Sequence, residues 1–198
     1  MQGLLIILSS PSGGGKTSII QKILERHPER FVYSISATTR KPRPGELDGK
    51  DYFFMTEPQF RQGIEQGMFL EWESVHGHLY GTPREYIESC LRNGKSILFD
   101  IDVNGALKVA RYWPEQTITI FIAPPSIETL IQRLKSRNTD APEEIQTRLE
   151  RIPMEMEKAK YFDHVIVNVD LDTTVAKVLE IVDNFAAQQQ TSGAELER

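Results

Sequence analysis

The stretch Leu4-Leu5-Ile6-Ile7-Leu8-Ser9, followed by Ser10-Pro11-Ser12-Gly13-Gly14-Gly15-Lys16-Thr17, constrains this chain more than any other. It reads as an apolar strand, a small-residue loop and, through Ile19, Ile20, Ile23 and Leu24, an amphipathic helix. That is the order a phosphate-binding loop requires. Glycines let successive backbone N–H groups turn inward without Cβ clashes, forming a cradle for phosphate oxygens. The helix that follows points its positive dipole end at the same place. Lys16 supplies a mobile cation for β- and γ-phosphates, and Thr17 a hydroxyl ligand for Mg²⁺. Ser10 stands where the motif's first glycine is expected and is small enough to fit. Three glycines, a Lys-Thr pair and these flanks together set the loop apart from a merely flexible turn. Ser10 to Thr17 is therefore read as a nucleoside-triphosphate site.

Composition narrows the partners. A chain of 198 residues, 39% hydrophobic and 26% charged, suits one compact unit with room for a small insertion. A net charge of −5 gives no global field for nucleic acid or an anionic membrane, so a phosphorylated substrate needs a local cluster of cations. The single cysteine, Cys90, excludes an internal disulfide and is read as an inert thiol in a helical stretch. No apolar run approaches the roughly 20 residues of a membrane span, and no basic flank of a signal peptide precedes the first strand. Cytoplasmic residence and a monomer or weak homo-oligomer are the expectations.

Along the chain, residues 31–36 alternate at β-period. Between 36 and 94 the pattern shifts to short strand-like pieces, Tyr52-Phe53-Phe54 and 68–72, with turn signals at Pro44-Gly45 and Asp48-Gly49. Helices are expected at 57–66 and 83–92, the second with Thr82 as N-cap and Pro83 at its first position. Apolar strands resume at 96–102, 117–122 and 164–168, separated by helical patterns at Ile127, Leu130, Ile131, Leu134 and at Val175, Val178, Leu179, Val182. This rhythm predicts an α/β fold: a three-layer core with a five-stranded parallel sheet (1–35 and 95–190) and a small α+β insertion (36–94). A charged lid at 137–152 and a frayed polar tail at 191–198 complete the expected plan.

Within the insertion, Arg40-Lys41-Pro42-Arg43-Pro44-Gly45 packs three cations into four positions. Two guanidiniums spaced Arg-x-x-Arg can fork onto one phosphate. Spacing alone does not separate that reading from a solvated basic loop. Asp100 and Asp102 close an apolar strand, where ligands of open α/β sheets gather. Two residues apart, they point the same way, so both can face a cleft, with Asp100 orienting arginines or holding water on Mg²⁺. A capping role for Asp102 at the next helix is compatible with this.

The motifs then go further than spacing. Pro11-Ser12-Gly13-x-Gly15-Lys16, Thr38-Thr39-Arg40-x-Pro42-Arg43-x-Gly45-Glu46, Gly49-x-Asp51-Tyr52, Phe69-x-Glu71-Trp72, Tyr80-Gly81-Thr82, Asp100-x-Asp102, Ile122-Ala123-Pro124-Pro125-Ser126 and Val165-Ile166-Val167-Asn168 resemble the guanylate kinase family from the first strand to about Asp172. The resemblance implies transfer of a phosphoryl group from MgATP to GMP. It implies that Ser36, Arg40, Arg43, Glu46, Tyr52, Glu71, Tyr80, Thr82, Asp100 and Asp102 surround GMP. Arg133, Arg137 and Arg148 would then belong to a mobile lid over ATP, with Asn168 near the adenine. Catalytic work would fall to Lys16, Arg40 and those lid arginines. The chemistry of guanine agrees: one carboxylate, Glu71, can accept from N1–H and N2–H₂ side by side, while a hydroxyl of Ser36 or Thr82 donates to O6. His76 and His78 are read as surface or packing residues. Leu79, Val169 and Pro153 depart from the family pattern, the first two where a tyrosine and an acid are common and the third inside an expected helix.

Two other functions are compatible with such a fold. A sugar-phosphate kinase acting on ribose 1,5-bisphosphate would not need Glu71 or the guanine-facing hydroxyls. A guanylate-kinase-like interaction module binding phosphopeptides would not need Gly15-Lys16-Thr17 or the lid arginines, all of which are present here.

Overall fold

The computed structural model describes residues 3–75, 77–136 and 142–196, and their side chains outside 133–145, 147 and 190–196. The chain runs β1 (Leu5–Ser9), α1 (Lys16–Arg26), β2 (Phe31–Tyr33), β3 (Ala37–Thr38), β4 (Phe53–Phe54), α2 (Glu57–Glu65), β5 (Phe69–Val75), β6 (His78–Pro83) and α3 (Arg84–Arg92). It continues with β7 (Ser96–Asp100), α4 (Val103–Val109), β8 (Thr117–Ala123), α5 (Ile127–Ser136), α6 (Pro142–Lys158), β9 (His164–Val167) and α7 (Leu171–Leu196).

Five strands form one sheet in the order β2-β7-β1-β8-β9, and every pairing in it is parallel. The expected α/β core with a five-stranded parallel sheet is what the chain forms. Buried on both faces, β1 alternates its side chains between two cores. Leu4, Ile6 and Leu8 pack with Ile19, Ile20 and Ile23 of α1 and Val175, Val178 and Val182 of α7. Leu5 and Ile7 face Ile87 of α3, Val103, Ala106 and Val109 of α4, and Phe162. The central register puts Leu8 beside Asp100. The loop leaving β1 and the acids ending β7 therefore emerge side by side.

A separate four-stranded sheet, β4-β3-β6-β5, is built from the insertion. Its core holds Ala37, Phe60, Phe69 and Leu79, with the Phe60 and Phe69 rings stacked at 4.3 Å. Helix α2 begins at a reciprocal Thr56/Gln59 capping box. The turns signalled in the sequence are present, with Gly45 at φ 91° and Gly49 at φ 72°. Leu79 lies in this core, on the face opposite its neighbour Tyr80, so the departure from tyrosine is met by apolar packing.

Two local expectations are corrected. Thr82 is not an N-cap: β6 runs through Pro83, which pairs with Phe69, and α3 starts at Arg84. The polar tail from 191, expected to fray, prolongs the backbone of α7 to Leu196. Pro153 lies inside a helix, as expected, within the 17 residues of α6. Among the described residues no helix is long and apolar enough to cross a membrane.

Candidate active site

The loop between β1 and α1 is shaped by its glycines. Gly13 and Gly15 have φ of 87° and 92°, a region that side chains disfavour. A Cβ on Gly14 would come within 2.8 Å of the Ser10 side chain. Ser10 thus replaces a glycine only because Gly14 leaves it room. Gly14 N–H closes a turn on the Pro11 carbonyl at 2.9 Å. From far along the chain, Asn168 Nδ2 donates to the Gly14 carbonyl at 2.9 Å while its Oδ1 accepts from Thr174. Asn168 is 5% exposed, so its amide braces the loop from beneath.

Asp100 clasps the end of the loop where α1 begins. Lys16 Nζ lies 2.8 Å from Asp100 Oδ1 and donates to the Ile101 carbonyl at 3.0 Å. Thr17 Oγ1 donates to Asp100 Oδ2 at 2.7 Å. On the far side, Arg148 Nη1 of α6 donates to Ser12 Oγ at 3.1 Å. Arg137 lies outside the described residues, and of Arg133 only its place on the backbone of α5 is described.

A second cavity of about 290 Å³ opens between the two sheets, lined by Ser36, Tyr52, Glu71, Tyr80, Asp100 and Asp102 among others. Its floor is Glu71, whose Oε1 accepts from Thr82 Oγ1 at 2.7 Å. Thr82 is fully buried. A hydroxyl has one proton to give, so the Thr82 proton is already committed and Ser36 is left as the free donor. Burial pushes the Glu71 carboxyl above the usual carboxylate range; the Thr82 hydrogen bond opposes this and Asp102 adds to it. A raised value in the folded state means that the stability contributed is complete below the unfolded pKa and lost as pH rises through the folded one. Glu71→Gln, neutral throughout, should therefore unfold no earlier than the parent at neutral pH. Thermal melts from about pH 4 to about pH 8 check this, and a lower melting temperature for the variant at neutral pH would refute it.

At the mouth of the cavity Arg40 makes a two-pronged contact with Glu46, at 2.8 and 2.9 Å. Its guanidinium lies over the Tyr52 and Phe54 rings, 5.1 and 5.9 Å from their centroids. Arg43 is exposed and gives its backbone N–H to Glu46 at 2.7 Å. Glu46 thus gathers the basic loop. The Arg40 contact, then the Arg43 amide, hold its carboxyl below the usual range. Tyr52 is pushed above the normal phenol range chiefly by burial, which keeps its hydroxyl a donor. The Tyr52 and Tyr80 rings meet edge to face at 6.1 Å.

Asp102 serves in both expected ways. Its Oδ1 accepts from Gly105 N–H at 2.8 Å, capping α4, and its side chain lines the cavity. Tyr33, Glu73 and Arg151, which the sequence does not single out, also line it, as does Asp51, which the motif names without a role. For Arg151 a signal existed: it follows Arg148 by three residues, on the same face of α6.

The two sites share one wall. Asp100 lines both the phosphate loop, a pocket of about 170 Å³, and the acidic cavity. A glycine-rich loop on a parallel sheet, with a second cavity sharing the Asp100 that Lys16 pairs with, defines a P-loop kinase of small molecules. A model of the guanylate kinase family matches residues 2–185. The guanylate kinase of Thermotoga maritima is 43% identical over 198 residues, covering 100% of this chain and 95% of that protein. That of Wolbachia sp. subsp. Brugia malayi is 45% identical over 182 residues, covering 92% and 93%. The crystal structure of guanylate kinase from Anaplasma phagocytophilum superposes with a TM-score of 0.73 at 34% identity, covering 95% of this chain and 87% of that one. The chain belongs to the guanylate kinase family.

Proposed function

We propose that this chain transfers the γ-phosphoryl group of ATP to GMP, giving ADP and GDP, with ATP on the Ser10–Thr17 loop and GMP in the cavity floored by Glu71. The observation that carries the assignment of sites is Asp100, which lines both and grips Lys16 and Thr17. Two anionic ligands brought to one wall leave their phosphates adjacent, which is what in-line transfer needs.

The attacking group is a phosphate oxygen of GMP that already carries charge, so no side chain has to remove a proton. The chain's part is positioning and charge neutralisation. Lys16, Arg148 and the backbone amides of the loop face the donor; Arg40, Tyr52 and Tyr80 face the acceptor phosphate. Glu71 and Ser36 read guanine. The Thr17 hydroxyl and the Asp100 carboxylate suit Mg²⁺, which takes one or two protein oxygens beside phosphates and water. Those two residues would hold the ion, which would neutralise charge on the β- and γ-phosphates. Thr17→Ala should raise the Mg²⁺ concentration for half-maximal rate about tenfold, with Mg²⁺ titrations at saturating nucleotides as the check. The segment 36–94 acts as the acceptor module and 137–152 as a lid that excludes water on closing. The cytoplasm, where the single free Cys90 stays reduced, is its expected place.

Initial rates with MgATP and a panel of acceptors test the assignment. GMP should be phosphorylated and AMP barely at all. A sugar phosphate preferred over GMP would replace this reading with a different kinase.

A further inference from the structure

Helix α6 turns three ionisable side chains toward the site, Arg148, Arg151 and Glu155, spaced three and four residues apart and so stacked along one face. Arg148 holds Ser12 of the phosphate loop. Beside it, Arg151 Nη2 reaches Asp102 Oδ2 at 3.3 Å, and its Nε lies 3.8 Å from Glu155 Oε1. Glu155 is 6% exposed. The planar fork of an arginine can satisfy two carboxylates at once, which an ammonium does less well. Asp102 is split accordingly: Oδ1 caps α4 and Oδ2 faces Arg151. Among the described residues that line the 290 Å³ cavity, Arg151 is the only cation.

One helix therefore touches the donor loop through Arg148 and the acceptor cavity through Arg151. The Arg151–Asp102 pair is still partly wet, with side chains 41% and 27% exposed. A nucleotide filling the cavity removes water from around it, and an ion pair strengthens as its surroundings dry. We propose that Arg151 is a positioning residue that couples the two substrate sites, tying α6 to Asp102 when the acceptor is bound and so holding Arg148 where the donor phosphates lie. The inference rests on the assignment of ATP and GMP to these sites. Linkage makes it reciprocal: whatever GMP does to ATP affinity, ATP does to GMP affinity.

Calorimetric titration of a non-hydrolysable ATP analogue, with and without saturating GMP, reads the coupling. In the parent protein GMP should tighten the analogue about tenfold. In Arg151→Ala the ratio should fall to about one, and Arg151→Lys, with the charge but not the fork, should fall between. Alanine is a good helix former at this partly exposed position, and a thermal melt of each variant separates loss of fold from loss of coupling. An unchanged ratio in Arg151→Ala, a ratio of one in the parent, or a lowered melting temperature with the ratio intact would each overturn the proposal. A parent that does not bind GMP at all would instead overturn the assignment of the acceptor site.

Discussion

Glu71→Gln should cost about 10³-fold in kcat/KM for GMP while leaving the affinity for ATP within about twofold. The parent carboxylate is positioned by Thr82 Oγ1 at 2.7 Å, so both its oxygens are fixed for two guanine donors. A carboxamide keeps one acceptor and presents an N–H₂ to the other donor, leaving two buried donors opposed. Sites that recognise a partner by buried hydrogen bonds lose most when one bond is inverted. The pH dependence follows from the same group. Because burial raises the Glu71 pKa, kcat/KM for GMP should fall on acidification at a higher pH than an ordinary glutamate would impose. Steady-state rates with GMP and AMP across pH, on parent and variant, measure both effects. Equal GMP and AMP rates in the parent, or an unchanged preference in the variant, would remove the account of specificity.

Lys16→Met should lower kcat by about 10²- to 10³-fold with little change in KM for GMP. The ammonium is held 2.8 Å from Asp100, and both side chains are about 15% exposed, at 15% and 14%. It is thus a preorganised cation in a site that closure would dry, where charge developing on the transferred phosphoryl group feels it most. Removing it also leaves Thr17 as the one remaining side chain bonded to Asp100 among the described residues. A loss confined to KM for ATP would mean that Lys16 only binds the donor and does not act on the transferred group.

How much of this could be read from the chain varies with the range of the contacts involved. The loop was legible because everything that shapes it is local: glycines at positive φ, the lysine, and the strand and helix on either side. The parallel sheet was legible because strands buried on both faces read as apolar runs. Thr82 was misplaced because Thr-Pro resembles a helix start; pairing of Pro83 with Phe69 kept it in a strand and turned its hydroxyl to Glu71. Asn168, which the resemblance sets near the adenine, is also bonded beneath Gly14, 154 residues away in sequence. No local pattern carries such information. The spacing of Arg40 and Arg43 leaves a shared phosphate and a solvated loop equally open; it does not show that Glu46 takes the Arg40 guanidinium and the Arg43 backbone N–H together. Arg151 was within reach by helical spacing, but its partner Asp102 lies on another element and only the fold brings them together.

The central claim is that donor and acceptor sites adjoin at Asp100, close enough for one phosphoryl group to pass between them. A ligand that joins adenosine to guanosine through a chain of five phosphates tests it most directly, because it can fill both sites only if they lie within that span. Calorimetry should give one such ligand per chain, bound about 10²- to 10⁴-fold more tightly than ATP alone, with the gain lost in Glu71→Gln. Two ligands per chain, or an affinity no better than that of ATP, would contradict it.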